Sequence, residues 1–170
     1  MKQGNALVLG WSFGLGASRK QGDPGTCNMD LMRCFLNNEN LRHLPLVLQE
    51  ELKEAAEIQL GETALSRLHI VHVFPSPPEN PPTTLSMARE GVGYARQHGY
   101  KKIYILAFPF IHRFFCFRYT KRFAKQHGIE VEVIKTGFIP FDENNGQWLA
   151  RGPLRLICYL GLRACGVRWL

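Results

Sequence analysis

The sequence has few cysteines, and their spacing offers neither a metal site nor a disulfide framework. The five cysteines form no C-x-x-C pair and no zinc-binding pattern; they stand at positions 27, 34, 116, 158 and 165. An odd number of scattered cysteines is typical of reduced thiols in a reducing compartment. We therefore predict a cytoplasmic protein and no metal site.

Long apolar runs are also missing. No run approaches the roughly 18–20 residues that cross a bilayer, and residues 1–5 lead into the first apolar segment without a signal-peptide pattern. There is no internal repeat and, apart from a proline-rich loop at 75–82, no biased segment. These features predict one domain, residues 1–170.

Acidic residues are scarce in the second half of the chain. Residues 1–100 carry 9 Lys and Arg against 10 Asp and Glu, whereas residues 101–170 carry 12 against 4. An excess of cations suits anionic small molecules, nucleic acid or anionic membranes. Four cations share one face of a predicted helix at 113–127: Arg118, Lys121, Arg122 and Lys125.

Short apolar runs alternate with helical patterns along the chain. The predicted strands cover 6–9, 44–48, 68–74, 101–108 and 129–134, and the predicted helices cover 28–38, 49–60, 84–98, 113–127 and 147–165. Asn28 is predicted to cap the first helix. Strict alternation favours an α/β fold: a three-layer α/β/α, doubly wound, mostly parallel five-stranded Rossmann-like sheet.

A glycine-rich turn follows the first predicted strand. Gly10, Gly14 and Gly16 have a spacing that lets a backbone approach a phosphate. A short-chain dehydrogenase is disfavoured, because no Tyr-x-x-x-Lys pair exists and Gln49, not an acidic residue, comes first after the second strand. The turn predicts a phosphate or nucleotide contact through Gly10 and Gly14, or a tight turn without a ligand.

Two polar groups follow the next two strands. Glu50 comes after the second strand, where it can serve as an acid or base, or simply favour the start of a helix. Thr83 and Thr84 follow the rigid proline loop, and one of the two hydroxyls is explained by helix capping. We take Thr84 as a candidate ligand-binding residue.

The strongest candidate pair follows the fourth strand. His112 and Arg113 lie near the start of a predicted helix, where free N–H groups and the helix dipole favour an anion. His112 suits acid–base catalysis near neutral pH. Arg113 would grip a phosphate or carboxylate, unless its partner is a carboxylate such as Glu50.

Taken in order, these segments resemble the SanA/YdcF/ElyC-like family. The resemblance lies in the Leu-Val-Leu-Gly strand ending at Gly10, the acidic Glu50, the threonines at 83 and 84, and the pair His112 and Arg113. It implies a Rossmann-like fold and a link to cell-envelope or lipid-carrier metabolism. One branch of the family binds S-adenosylmethionine, so that cofactor or a nucleotide is implied by resemblance only.

Three functions follow as alternatives. The first is a domain that binds an anionic, phosphate- or nucleotide-bearing small molecule, with His112 and Glu50 as catalytic residues of a hydrolase or transferase. The second is a non-catalytic module that binds nucleic acid or an anionic membrane through the basic helix. The third is a diverged, inactive scaffold, since Trp11 and Ser12 stand where the family has glycines.

Overall fold

The computed structural model describes residues 5–14, 23–75, 83–145, 151–155 and 157–158. The strands are β1 (Ala6–Gly10), β2 (Leu46–Gln49), β3 (Ile70–Phe74), β4 (Lys102–Leu106) and β5 (Glu130–Val133). The helices are α1 (Thr26–Leu36), α2 (Glu50–Leu65), α3 (Thr84–Gln97) and α4 (Ile111–Lys125).

The five strands form one parallel sheet in the order β3-β2-β1-β4-β5. β1 is therefore central, with β2 on one side and β4 on the other. Every residue of β1 is buried, as expected for a strand covered on both faces. The doubly wound Rossmann-like sheet predicted from the alternation is confirmed.

Two apolar cores lie on opposite faces of the sheet. One contains Leu31 and Phe35 of α1 and Leu52 of α2, and the other contains Val92 of α3 and Cys116 of α4. The α1–α2 and α3–α4 pairs thus form the outer layers. Because parallel strands all end at the same edge of the sheet, this architecture brings the loops after β1, β2 and β4 together.

The predicted element boundaries hold to within a few residues, with one local exception. α2 was predicted to stop at Gly61, but helical turns continue to Leu65 after a break at Gly61, where φ is 70° and ψ is 164°. Most of the predicted last helix, Gly16 and loop residues 76–82 lie outside the described residues. Within the described residues, no helix is long and apolar enough to cross a membrane.

Candidate functional site

The candidate site lies beyond the carboxyl ends of β1, β2 and β4. The chain leaves β1 toward β2 on one side and later returns to β4 on the other, so the point between β1 and β4 is where the strand order reverses. Ligands of open α/β sheets bind at such a point. The turn after β1, Glu50 at the start of α2, and His112 in α4 all belong to this edge.

Two backbone donors of the glycine-rich turn are already used by the protein. Ser12 N donates to Gln49 Oε1 at 3.0 Å, and Phe13 N donates to Asn28 Oδ1 at 2.7 Å. A Cβ at Gly10 would lie 2.7 Å from a methyl carbon of Leu48. Gly10 therefore has a packing reason to be glycine, and these two N–H groups are not available to a phosphate.

Asn28 has a different role from the predicted one. The residue that caps α1 is Gly25, with φ 80°, and Asn28 is buried inside the first turn of the helix. Its Nδ2 donates to the carbonyl oxygens of Gly14 at 3.3 Å and Pro24 at 2.7 Å. The cap prediction was wrong because the side chain bonds to a turn from another part of the chain.

Gly14 packs closely against a later segment of the chain, at Asn145. Its φ is +74°, and a Cβ there would lie 2.4 Å from the side-chain nitrogen of Asn145. Asn145 is fully buried. The absence of a side chain at Gly14 therefore lets the segment before residue 146 pack on the turn.

Aromatic rings fill the space next to this turn. Phe13 and Phe108 stack with ring centroids 4.1 Å apart and planes 8° apart, and Phe141 meets Phe108 edge-on at 5.1 Å. Phe13 and Phe108 are both buried. The crevice expected between β1 and β4 is thus largely closed by the protein's own side chains on the α1 side.

His112 lies at the edge of this aromatic cluster, in the first turn of α4. Its ring centroid is 5.1 Å from that of Phe13, and its Nε2 is 3.5 Å from Cys116 Sγ, one helical turn later. The residue as a whole is partly exposed, but Nδ1 is buried and has no hydrogen-bond partner in the described part of the chain. Buried polar atoms without a partner are uncommon in proteins.

Burial sets the charge of His112 and Cys116. It lowers the pKa of His112 from 6.5 to about 4 and raises the pKa of the Cys116 thiol well above its ordinary value. Both groups are therefore neutral at pH 7. A thiolate–imidazolium pair, which a cysteine nucleophile requires, is not favoured in this environment.

The start of α4 has an unusual backbone. Phe110, which precedes the helix, has φ 69° and ψ −139° and offers no side-chain cap. Arg113 N donates to the carbonyl of Phe108 at 3.1 Å, and Phe114 N donates to that of Phe110 at 3.2 Å; both acceptors precede the helix. The N–H groups of Ile111 and His112 donate to no acceptor among the described residues.

The strained backbone at Phe110 reverses the usual order of alanine and glycine: at this position we expect glycine to be more stable than alanine. Both Phe110→Gly and Phe110→Ala remove the ring, but only glycine adopts this backbone freely. We expect the glycine variant to be more stable by about 1 kcal/mol in chemical denaturation. Phe138 is exposed with an ordinary φ. At Phe138 alanine should therefore equal or exceed glycine, and the same order at both positions would contradict the strain.

Arg113 is bound to the protein itself. Its Nε donates to the Ala107 carbonyl at 3.3 Å, and its guanidinium also donates to the hydroxyl of the buried Thr136. Burial lowers its pKa, although arginine stays charged. No carboxylate within the described ranges forms an ion pair with it. Arg113 thus ties the end of β4 to the segment after β5.

Thr84 and Glu50 lie farther along the sheet edge. Thr83, not Thr84, caps α3: its Oγ1 accepts from Ser86 N at 3.1 Å. No described hydrogen bond joins Thr84 to the other candidates. Glu50 follows β2, two strands from β4, so its backbone starts about 10 Å from that of the His112 segment at the usual strand spacing.

The predicted basic face of α4 is exposed. It consists of Arg118, Lys121, Arg122 and Lys125. In the described part of the chain none of the four forms an ion pair; the ion pairs there involve other cations.

An open groove of about 380 Å³ lies elsewhere, beside the start of α1. Its walls include the acidic residues Asp23 and Asp142, together with Met29 and Ile58. Two acidic side chains make this groove unsuited to an anion, and it does not include His112. No group of three or more potential metal ligands occurs among the described residues.

The fold and this edge of the sheet define a Rossmann-like α/β protein. Comparison of the chain with protein-family profiles, curated proteins and solved structures found no match.

Three residues that shape this region were not predicted as site residues: Asn28, Phe13 and Phe108. Phe13 lay inside the glycine-rich turn and Phe108 at the end of a strand, so their position along the chain was a usable signal. The bulk of their rings could have been taken as evidence against a ligand pocket at that point.

Proposed function

We propose that the protein binds an anionic, phosphate-bearing small molecule at the start of α4, next to the carboxyl ends of β1 and β4. The observation that carries the proposal is the buried, unpartnered Nδ1 of His112, in the same helical turn as two N–H groups without described acceptors. A helix N-terminus concentrates donors and positive potential, which suit a phosphate.

The neutral state of His112 determines what it can offer a ligand. If the Cys116 thiol donates to Nε2, the proton of the imidazole resides on Nδ1, which then becomes a donor toward a ligand oxygen. A bound anion would also raise the pKa of His112 from about 4 toward neutrality. The same residue would then give or take a proton, as hydrolysis or group transfer requires.

The other predicted site residues have secondary parts in this proposal. Arg113 lies beside His112 but already donates to Ala107 and Thr136, so it would contribute positive potential more than a direct grip. Gly10 and Gly14 would shape the wall of the site. Glu50 would act only on a ligand large enough to extend from β4 to β2.

Membership in the SanA/YdcF/ElyC-like family is part of this proposal. It is supported by the order of the short motifs and by the Rossmann-like sheet on which they fall. If the family relationship holds, S-adenosylmethionine or a nucleotide becomes a candidate ligand. A cytoplasmic location is proposed from the cysteine pattern, with which the unpaired Cys27, Cys34, Cys116 and Cys158 agree.

The test is ligand-induced stabilisation. The protein is heated with nucleotides, S-adenosylmethionine, sugar phosphates and inorganic pyrophosphate, and the midpoint of unfolding is recorded. We expect at least one phosphate-bearing compound to raise it. His112→Gln should weaken binding by about tenfold, the effect of losing one hydrogen bond to a charged group. The exposed His127→Gln is the matched control. If no compound acts, or if both variants bind equally, the proposal is wrong.

A second candidate is a scaffold without activity. It is favoured by one observation: Gln49, Asn28 and the stacked rings of Phe13 and Phe108 occupy the positions a ligand's phosphate would need at the glycine-rich turn. This candidate predicts that every compound in the panel leaves the midpoint unchanged, with the wild-type protein fully folded.

A further inference from the structure

Three large aromatic side chains are exposed at one end of the molecule. The exposed fractions are 55% for Phe110, 56% for Phe114 and 76% for Phe138. Phe110 and Phe138 touch edge to face, with ring centroids 6.3 Å apart. Phe110 precedes α4 and Phe114 lies in its first turn. The Phe110–Phe138 pair and the Phe114 ring therefore expose apolar area at the amino end of the helix.

The exposed face of α4 continues this apolar area with positive charge. At 100° per residue, Phe114 and the four basic side chains fall within an arc of about 100°. The buried residues Cys116, Thr120 and Ala124 lie on the opposite side of the helix. No Asp or Glu occurs between Ile111 and Lys125. One helix therefore presents apolar rings at one end and four uncompensated cations along its length.

We propose that this face docks on an anionic membrane surface. The aromatic patch (Phe110, Phe114 and Phe138) would insert among the lipids, while the basic face (Arg118, Lys121, Arg122 and Lys125) would lie against anionic headgroups. Exposed apolar rings next to lysine and arginine are the combination by which surface helices bind at the membrane interface. The proposal does not rest on the small-molecule ligand proposed above.

The ring arrangement favours lipid over single-stranded nucleic acid. Bases stack on open, accessible ring faces. Here the planes of Phe110 and Phe138 differ by 76°, and the Phe110 ring is nearly parallel to Phe141, 6.3 Å away, which covers part of one face. Phe114 in turn meets Phe115 edge-on at 5.7 Å. Rings packed edge to face offer apolar area without the separate open platforms that successive bases need.

Charge also argues against a second copy of the chain as the occupant. A two-fold contact through this face would oppose four cations with four cations, and no described carboxylate of α4 would compensate them. An anionic bilayer supplies both the opposite charge and the apolar layer, so it complements both halves of the face at once.

The experiment is co-sedimentation of the full chain with vesicles of phosphatidylcholine, with and without phosphatidylserine. We expect binding to the anionic vesicles that weakens as salt is raised. Replacing Phe110, Phe114 and Phe138 together with serine should lower the partition coefficient by at least about tenfold. Replacing the four basic residues with glutamine should abolish the preference for phosphatidylserine.

Two control variants outside the proposed face keep the result specific. Ile58→Ser changes a side chain that is 56% exposed on α2, in the other helical layer. Arg42→Gln with Arg67→Gln removes two exposed cations outside α4. Both controls should bind like wild type, and all variants must keep a cooperative unfolding transition. The proposal is overturned if wild type ignores anionic vesicles or if the serine variant binds unchanged. Binding of a single-stranded oligonucleotide is measured in parallel. The proposal is equally overturned if the triple serine variant and the quadruple glutamine variant lose binding to the oligonucleotide but keep binding to the vesicles.

Discussion

Replacing Asn28 with alanine is expected to lower the free energy of unfolding by about 3–5 kcal/mol, because three buried hydrogen bonds depend on this one side chain. Its Oδ1 accepts from Phe13 N, and its Nδ2 donates to the carbonyls of Gly14 and Pro24. Alanine would leave one donor and two acceptors in a fully buried place without partners. An unsatisfied buried polar group costs about 1–3 kcal/mol.

The measurement is urea denaturation of wild type, Asn28→Ala and Asn28→Asp. Aspartate retains an oxygen for Phe13 N but loses the Nδ2 donor and adds a buried charge, so it should not rescue stability. Asn37→Ala, an exposed position at the end of α1, is the control and should change stability by less than about 0.5 kcal/mol. A loss below about 1 kcal/mol for Asn28→Ala would mean that water replaces the amide.

Hydrogen exchange gives the same prediction a local readout. In wild type the amide of Phe13 should be protected, since its acceptor is the buried Oδ1 of Asn28. In Asn28→Ala it should exchange faster than core amides such as Leu9, because the turn would open without global unfolding. If the amides of Phe13 and Leu9 still exchange equally slowly in Asn28→Ala, the turn does not depend on Asn28.

The fold could be predicted because its signals are local. A short apolar run is enough to indicate a strand buried on both faces, and Ala6–Gly10 and Leu46–Gln49 are both fully buried. Alternation of such runs with helical patterns leaves few topologies open, and the right-handed crossover rule narrows them further. None of these inferences depends on which side chains contact one another.

The contents of the site could not be predicted, because they are long-range pairings. Ser12 N meets Gln49, 37 residues away, and Arg113 meets Thr136, 23 residues away. Each residue has a sound local interpretation: Arg113 is a plausible anion clamp at a helix start. The alternative partner becomes visible only when β4 and the segment after β5 are placed side by side.

The conformation of Phe110 is a further case that a single sequence does not reveal. A phenylalanine predicts an ordinary negative φ, whereas this residue has φ 69°. Ring contacts with Phe138 and Phe141 accompany the strained backbone. Strain of this kind persists only where the surrounding structure imposes it. The aromatic patch at the start of α4 is therefore a property of the tertiary fold.

Acidification is expected to destabilise the protein through His112 by about 2 kcal/mol between pH 7 and pH 5. The folded-state pKa of His112 is lowered to about 4, whereas an unfolded histidine titrates near 6.5. Between these values the unfolded chain binds the proton and the folded chain does not, so stability falls as pH falls. The full loss, reached below pH 4, is about 3 kcal/mol.

The difference between wild type and His112→Gln isolates this residue. Glutamine cannot be protonated, so the stability of the His112→Gln variant should fall less steeply with acidification than that of wild type. The carboxylates are the same in both proteins, so their contribution cancels in the difference. His127→Gln, at an exposed position, should follow the wild-type curve. Parallel curves for wild type and His112→Gln would show that the imidazole is not held neutral.

If an anion binds beside Nδ1, it should raise the pKa of His112, and the stabilisation that the anion gives should then grow as the pH is lowered.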